Sequence, residues 1–142
     1  MTELFRRWRQ KISPSVDQSD RPKAIADWFD RIGRTSPPPG DIIAFNIGIF
    51  ETSNGYTIYL AGSREYDPGN DDWACQEDYS PTERYFELSP SYVCGKDWQQ
   101  LEKDVIALVK GFLGSKPSPE TFLANAMVVT AGFDDGELTR IK

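Results

Sequence analysis

The sequence predicts an α+β fold. It reads as a single domain with a mostly antiparallel sheet of about five strands, in two hairpins, and helices packed mainly on one face. Three observations carry that expectation. Strand-like runs flank the turn dipeptides Asn54-Gly55 and Asp135-Gly136, as in hairpins. Residues 96–113 repeat apolar side chains every three or four positions, as a buried helix does. Helical runs and hairpin-joined strands occur in separate blocks, which favours α+β over an alternating parallel architecture. A chain of 142 residues suits one ordinary domain and can bury roughly 70% of its unfolded surface without a staple.

Residues 2–12 read as a short helix. Leu4, Phe5, Trp8 and Ile12 share one face, Arg6, Arg7, Arg9 and Lys11 the other, and Ser13-Pro14 stops it. The basic face reads as solvated, or as docked on an acidic surface of this chain or of a neighbour. Residues 20–32 form a second helix with Asp20 or Ser19 as N-cap and Pro22 in the first turn. Ala24, Ile25, Trp28, Phe29 and Ile32 make its apolar stripe, and Gly33 its C-terminal cap. These N-terminal helices, residues 1–34, are followed by a proline-rich connector over 35–40, which is extended because proline lacks an N–H.

Residues 41–142 hold the sheet and the long helix. Ile43, Phe45, Ile47 and Ile49 alternate along the first strand. A two-residue turn at Asn54-Gly55 pairs Ser53 with Tyr56, Glu51 with Ile58, Phe50 with Tyr59 and Ile49 with Leu60. Ile47, Ile49, Ile58 and Leu60 then meet the helices, and Phe50 and Tyr59 form a cross-strand pair on the second face. Gly48 and Gly62 mark bulges or close backbone approaches. Residues 84–88 are a third strand, ended by Ser89-Pro90. The long helix carries Trp98, Leu101, Val105, Leu108 and Phe112 as its stripe, widened by Ile106, Val109 and Leu113. Asp97 with Gln100 resembles a capping box, with Cys94 or Gly95 as other possible caps. Residues 116–119 are a linker, and 120–124 one more helical turn. Strands over 126–132 and 137–141 flank the last turn, with Phe133 opposite Leu138.

Composition excludes several classes. Formal net charge is −6, which argues against a nucleic-acid or anionic-membrane binder, since both need a basic face. There are no histidines, so Ser-His-Asp and Cys-His arrangements and the commonest zinc ligand are absent. Cys75 and Cys94 lie 19 residues apart outside any CxxC and read as reduced thiols of a cytoplasmic protein. Residues 1–11 show no apolar core of a signal peptide, and no apolar run approaches the ~20 residues of a membrane span.

The stretch that stands out is residues 66–79, YDPGNDDWACQEDY. It holds five acids, three aromatics and no basic residue. Asp67, Asp71, Asp72, Glu77 and Asp78 are oxygen donors, yet their order is not that of an EF-hand loop, so no metal is expected. Pairing a loop acid with Asp134 or Asp135 for hydrolysis has no motif behind it. Cys75 as nucleophile lacks the neighbouring cation that lowers a thiol pKa, and it reads as a small buried residue beside Trp73. No cofactor or catalytic group is expected. What remains is recognition: Tyr66, Trp73 and Tyr79 as anchors, and Asp67, Asp71, Asp72, Glu77 and Asp78 as complements to a basic protein. The Phe50/Tyr59 face is the other candidate surface. A structural or assembly protein with a solubilising acidic loop is the alternative, and a small carboxylate/metal enzyme a more distant one.

The segment from Gly62-Ser63 through Asp71-Asp72-Trp73-Ala74-Cys75, the helix from Trp98, and Gly132-Phe133-Asp134-Asp135-Gly136-Glu137-Leu138 resemble the small acidic immunity proteins that bacteria encode beside polymorphic or contact-dependent toxins. The resemblance implies a cytoplasmic, non-enzymatic inhibitor that binds a toxin domain.

Overall fold

The structure, a computed structural model, describes residues 21–53, 55–115 and 121–142. The expected helix over 2–12, the caps at Ser19 or Asp20, Asn54 of the turn and the linker over 116–119 lie outside the described residues. Five strands pair in the order β3-β2-β1-β4-β5. They are β1 (Ala44–Thr52), β2 (Gly55–Ser63), β3 (Tyr85–Leu88), β4 (Val128–Phe133) and β5 (Thr139–Arg140). All neighbours are antiparallel except β1 and β4, which run parallel at the centre. A parallel pair needs a crossover, and a helix lies within it. The fold is α+β, with a mostly antiparallel sheet.

Helix α1 (Arg21–Thr35) buries Ile25, Trp28, Phe29 and Ile32 completely. It does not end at Gly33. Ser36 still donates to the Ile32 carbonyl at 2.8 Å, and the helix stops where Pro37 has no N–H to continue the ladder. Ser89-Pro90 ends β3 and also opens a one-turn helix, α2 (Pro90–Val93), capped by the Ser89 hydroxyl. The crossover helix α3 (Trp98–Gly114) begins two residues later than expected, because Asp97 is its cap: Gln100 N–H donates to Asp97 Oδ1 at 2.8 Å. The Gln100 side chain turns forward to Asp104 at 2.8 Å, so only half of the capping box forms. Leu101, Val105, Val109 and Phe112 are buried, but Trp98 is 55% exposed. It stands in the first turn and meets the sheet only at its end, edge-on to Phe133 at 6.0 Å. A last short helix, α4 (Phe122–Asn125), leads into β4.

The first hairpin holds its expected faces in a different register. Thr52 pairs with Gly55, Glu51 with Tyr56, Ile49 with Ile58, Gly48 with Tyr59 and Ile47 with Leu60. A slip of two leaves every side chain on its own face. Ile47, Ile49, Ile58 and Leu60 therefore still meet α1 and α3 in the main core. The physical reason for the register is Tyr59. A Cβ on Gly48 would lie 2.2 Å from the Tyr59 ring, so the ring lies across β1 in the space that glycine leaves. Phe50 now faces Thr57 and reaches Tyr59 on the diagonal, at 6.0 Å between ring centres. The second hairpin also departs from expectation, by one residue: Ala131 pairs with Thr139 and Thr130 with Arg140. The Leu138 N–H is not free for the ladder, because it donates to Asp71 Oδ2 at 3.0 Å.

The second face of the sheet is partly covered. Ala44, Trp73 and Val128 form a small cluster there, with Tyr66, Ala74 and Leu138 against it. Beside it the buried Thr130 hydroxyl donates to Asn46 Oδ1 at 2.8 Å. Gly48→Ala should cost about 1–3 kcal/mol in urea unfolding, the usual range for overpacking. Adding Tyr59→Ser removes the ring that the new Cβ strikes. The double variant should lose less than the sum of the two single losses.

Candidate functional site

The acidic stretch leaves the sheet at the end of β2 and returns beside it. Gly62 exchanges backbone bonds with Tyr79, its N–H donating at 2.9 Å and its carbonyl accepting at 3.1 Å. The Arg64 N–H donates to Asp78 Oδ2 at 2.8 Å, which closes the base of the loop. At the far end Asp67 Oδ1 accepts from Gly69 N–H at 2.9 Å, a local turn favoured by aspartate. Asn70 Oδ1 then accepts from Asp72 N–H at 2.8 Å and caps a 3₁₀ helix, Asp71–Cys75.

That short helix turns Trp73 inward, onto Ala44 and Val128, with Tyr66 edge-on at 5.2 Å. Cys75, two positions on, is exposed and is not the small buried residue that the sequence suggested; Cys94 is exposed too. Tyr79 is buried against Phe45, its hydroxyl donating to the Ser36 carbonyl. Burial pushes the Tyr79 phenol up to about 12.

The five acids divide by role. Glu77 holds the Arg84 guanidinium through two bonds of 2.8 and 2.9 Å, and Arg84 in turn lies over the Tyr59 ring at 4.7 Å. Asp78 accepts from Arg64 N–H and from the Gln76 amide, and these bonds hold its carboxyl below the usual range. Asp71 ties the loop to the β4–β5 turn through Leu138. Asp67 and Asp72 are exposed, and the Asp72 side chain has no hydrogen bond or ion pair to another described residue. Among the described residues no group of acids and cysteines converges closely enough to hold a metal ion.

A second acidic feature lies next to the first. At the carboxyl ends of β1 and β4 opens a cleft of about 900 Å³, with Trp98, Phe133 and Tyr56 on its walls and Glu51, Glu102, Asp134, Asp135 and Glu137 around it. Among the described residues no lysine or arginine lines it. The Tyr59 hydroxyl reaches across β1 to donate to Asp134 Oδ1 at 2.6 Å. Burial first, then this bond, raises the Tyr59 phenol well above its ordinary value.

No protein-family model, curated protein or solved structure matches the chain. Among the described residues no helix is long and apolar enough to cross a membrane.

Of the residues that the sequence singled out, Trp73 and Tyr79 are inside. Tyr66 is half-buried and Asp67, Asp71, Asp72 and Glu77 are exposed. The sequence reading missed the cleft. The helical period places Trp98 on the buried stripe of the long helix, and composition alone gives Glu51, Glu102 and Glu137 no binding role. One signal was present: Trp98 directly follows the Asp97 cap and so stands at the very start of the helix.

Trp73→Ala should destabilise the domain by about 3 kcal/mol, as removal of a buried aromatic does. A fall in the urea midpoint with unchanged slope would show it. Asp78 gives a pH prediction. Its folded pKa is depressed, so its stabilisation is present above the unfolded value of about 4 and is lost as pH falls through the folded one. The gap in urea midpoint between the native chain and Asp78→Asn should therefore narrow below about pH 4. A gap that stays constant down to pH 3 would remove Asp78 from the acid response.

Proposed function

We propose that this chain is a non-enzymatic protein-binding inhibitor of the immunity type, which docks a basic domain, a toxin domain in the leading reading, and acts in the cytoplasm. The observation that carries this is the construction of the 66–79 loop. Its large side chains are turned inward and its ends are pinned to β2, while Asp67, Asp71 and Asp72 stay exposed on a fixed backbone. A surface ordered before binding pays less conformational entropy on association. Fixed carboxylates steer a cationic partner and set its orientation. Glu77 and Asp78 serve the surface indirectly, by holding Arg84 and Arg64.

The same inward-turned aromatics favour a second reading, a structural or assembly protein in which the loop closes the sheet and its acids only keep the chain soluble. One variant separates the two. Asp67→Asn and Asp71→Asn keep the acceptors for Gly69 and Leu138, and Asp72→Lys reverses the charge of a side chain that makes no described bond. The native chain is used to capture a partner from its host at low and at high salt, and the partner's affinity for both chains is then measured. The inhibitor reading expects a single basic partner. Its affinity for the triple variant should be at least tenfold weaker, mostly through slower association at low salt. Equal affinity would take the loop out of the interface. Capture of further copies of this chain alone would favour the assembly reading.

A further inference from the structure

We infer that the cleft at the carboxyl ends of β1 and β4 is a docking site for an arginine-bearing segment of a protein partner. This rests on the reading that the partner is a basic protein, and it names a surface and a side chain which that reading does not.

The cleft is built by topology. β1 and β4 are parallel, so their carboxyl ends lie side by side, Ile49 opposite Phe133. The chain leaves both ends in turns, and the first turn of α3 stands over them. The volume of about 900 Å³ is ample for a side chain with its flanking backbone and lies within the usual range for ligand sites. Phe133 meets Trp98 and Tyr56 edge-on, each at 6.0 Å, and all three aromatic side chains line the cleft. Trp98 is 55% exposed, an unusual cost for so large an apolar ring.

Charge then selects the occupant. Glu51, Asp135 and Glu137 are exposed, and their side chains have no hydrogen bond or ion pair to another described residue. Glu102 and Asp134 are already engaged, accepting from Phe133 N–H at 3.3 Å and from the Tyr59 hydroxyl at 2.6 Å. The acids do not converge as metal ligands do. They surround aromatic walls, which suits a flat, extended cation: a guanidinium can stack on a ring and offer its N–H fork to carboxylates at the rim. A lysine ammonium can use the charge and a cation–π contact, but it has neither the planar stacking nor the fork.

The test uses the isotopically labelled full chain and three short blocked peptides, Gly-Arg-Gly, Gly-Lys-Gly and Gly-citrulline-Gly, followed by backbone amide shifts. The arginine peptide should give saturable shifts at Trp98, Glu102 and Phe133 to Glu137. Trp98→Ala, and separately Asp135→Asn with Glu137→Gln, should each weaken it roughly tenfold. Both variants change exposed side chains, so an unchanged amide spectrum elsewhere verifies the fold. The lysine peptide should bind several-fold more weakly, and the neutral citrulline peptide should give no saturable shift. The proposal is overturned by equal binding of the citrulline peptide, by shifts that survive both variants, or by no shifts at these amides. It is also overturned if replacing Arg6, Arg7, Arg9 and Lys11 with Gln tightens the arginine peptide tenfold, for then the chain's own basic stretch is the occupant. The Asp67/Asp71/Asp72 loop variant should leave this titration unchanged. Loss of partner capture in that variant beside a silent cleft would sink this inference alone, and a responsive cleft beside unaffected capture would sink only the loop.

Discussion

Tyr59 occupies the volume where residue 48 would carry a Cβ, and much of the molecule follows from that one contact. Because the ring lies flat across β1, the first hairpin is fixed in the register that sets Gly48 opposite Tyr59. Because it reaches the far side of β1, its hydroxyl can donate to Asp134 just beyond β4. Its other partner is the Arg84 guanidinium, which is held there by Glu77 of the acidic loop. One aromatic side chain thus links β2, β1, the turn after β4, the approach to β3 and the loop. A glycine that reads from sequence as a weak point in a strand is the condition for this arrangement.

The acidic loop has a related logic. A run this polar would ordinarily be a solvated excursion, yet it closes the uncovered side of the sheet with Trp73 and Tyr66 and sends Tyr79 against Phe45. The acids make that possible. Asp78 and Asn70 take backbone N–H groups that a tight loop leaves without partners, and Asp71 takes the N–H of Leu138. Carboxylates that satisfy backbone donors stay charged while ordering the chain, so structural and recognition roles need not compete for the same residue.

The sequence made the periodic elements legible. The stripes of α1 and α3, the alternating strands and their inward faces are set by local pattern, and a register error of two could not disturb the faces. What it left hidden depends on contacts between distant residues. The register itself was read from the preference of Asn54-Gly55 for a two-residue turn, and cross-strand packing of Tyr59 on Gly48 prevailed over it. The parallel pairing of β1 and β4 joins segments 84 residues apart, and no local signal announces it. Trp98 follows the helical period of its buried neighbours, but period alone cannot tell that the helix at that turn has run past the sheet. The last hairpin was misread by one residue because Asp71, far away in sequence, claims the N–H of Leu138. Of the loop residues, the exposed acids could be picked out from composition, whereas the inward turn of Trp73 and Tyr79 needed the sheet that they cover.

The two acidic surfaces are joined rather than merely near. Asp71 of the loop bonds the backbone of Leu138, and Glu137, the residue before it, lines the cleft. Tyr59 joins them a second way, with Arg84 and Glu77 on one side and Asp134 on the other. So many carboxylates at one end of a domain repel one another across solvent, and among the described residues no basic side chain lines the cleft to relieve it. Arg84 and Arg64 offset Glu77 and Asp78, and a cationic partner would lower the repulsion among the remaining acids. A partner spanning both surfaces would relieve the strain of each at once, and it would meet a backbone already fixed by Trp73, Tyr59 and the ends of the loop. The affinity of such a contact would come less from its area than from charge held in place beforehand.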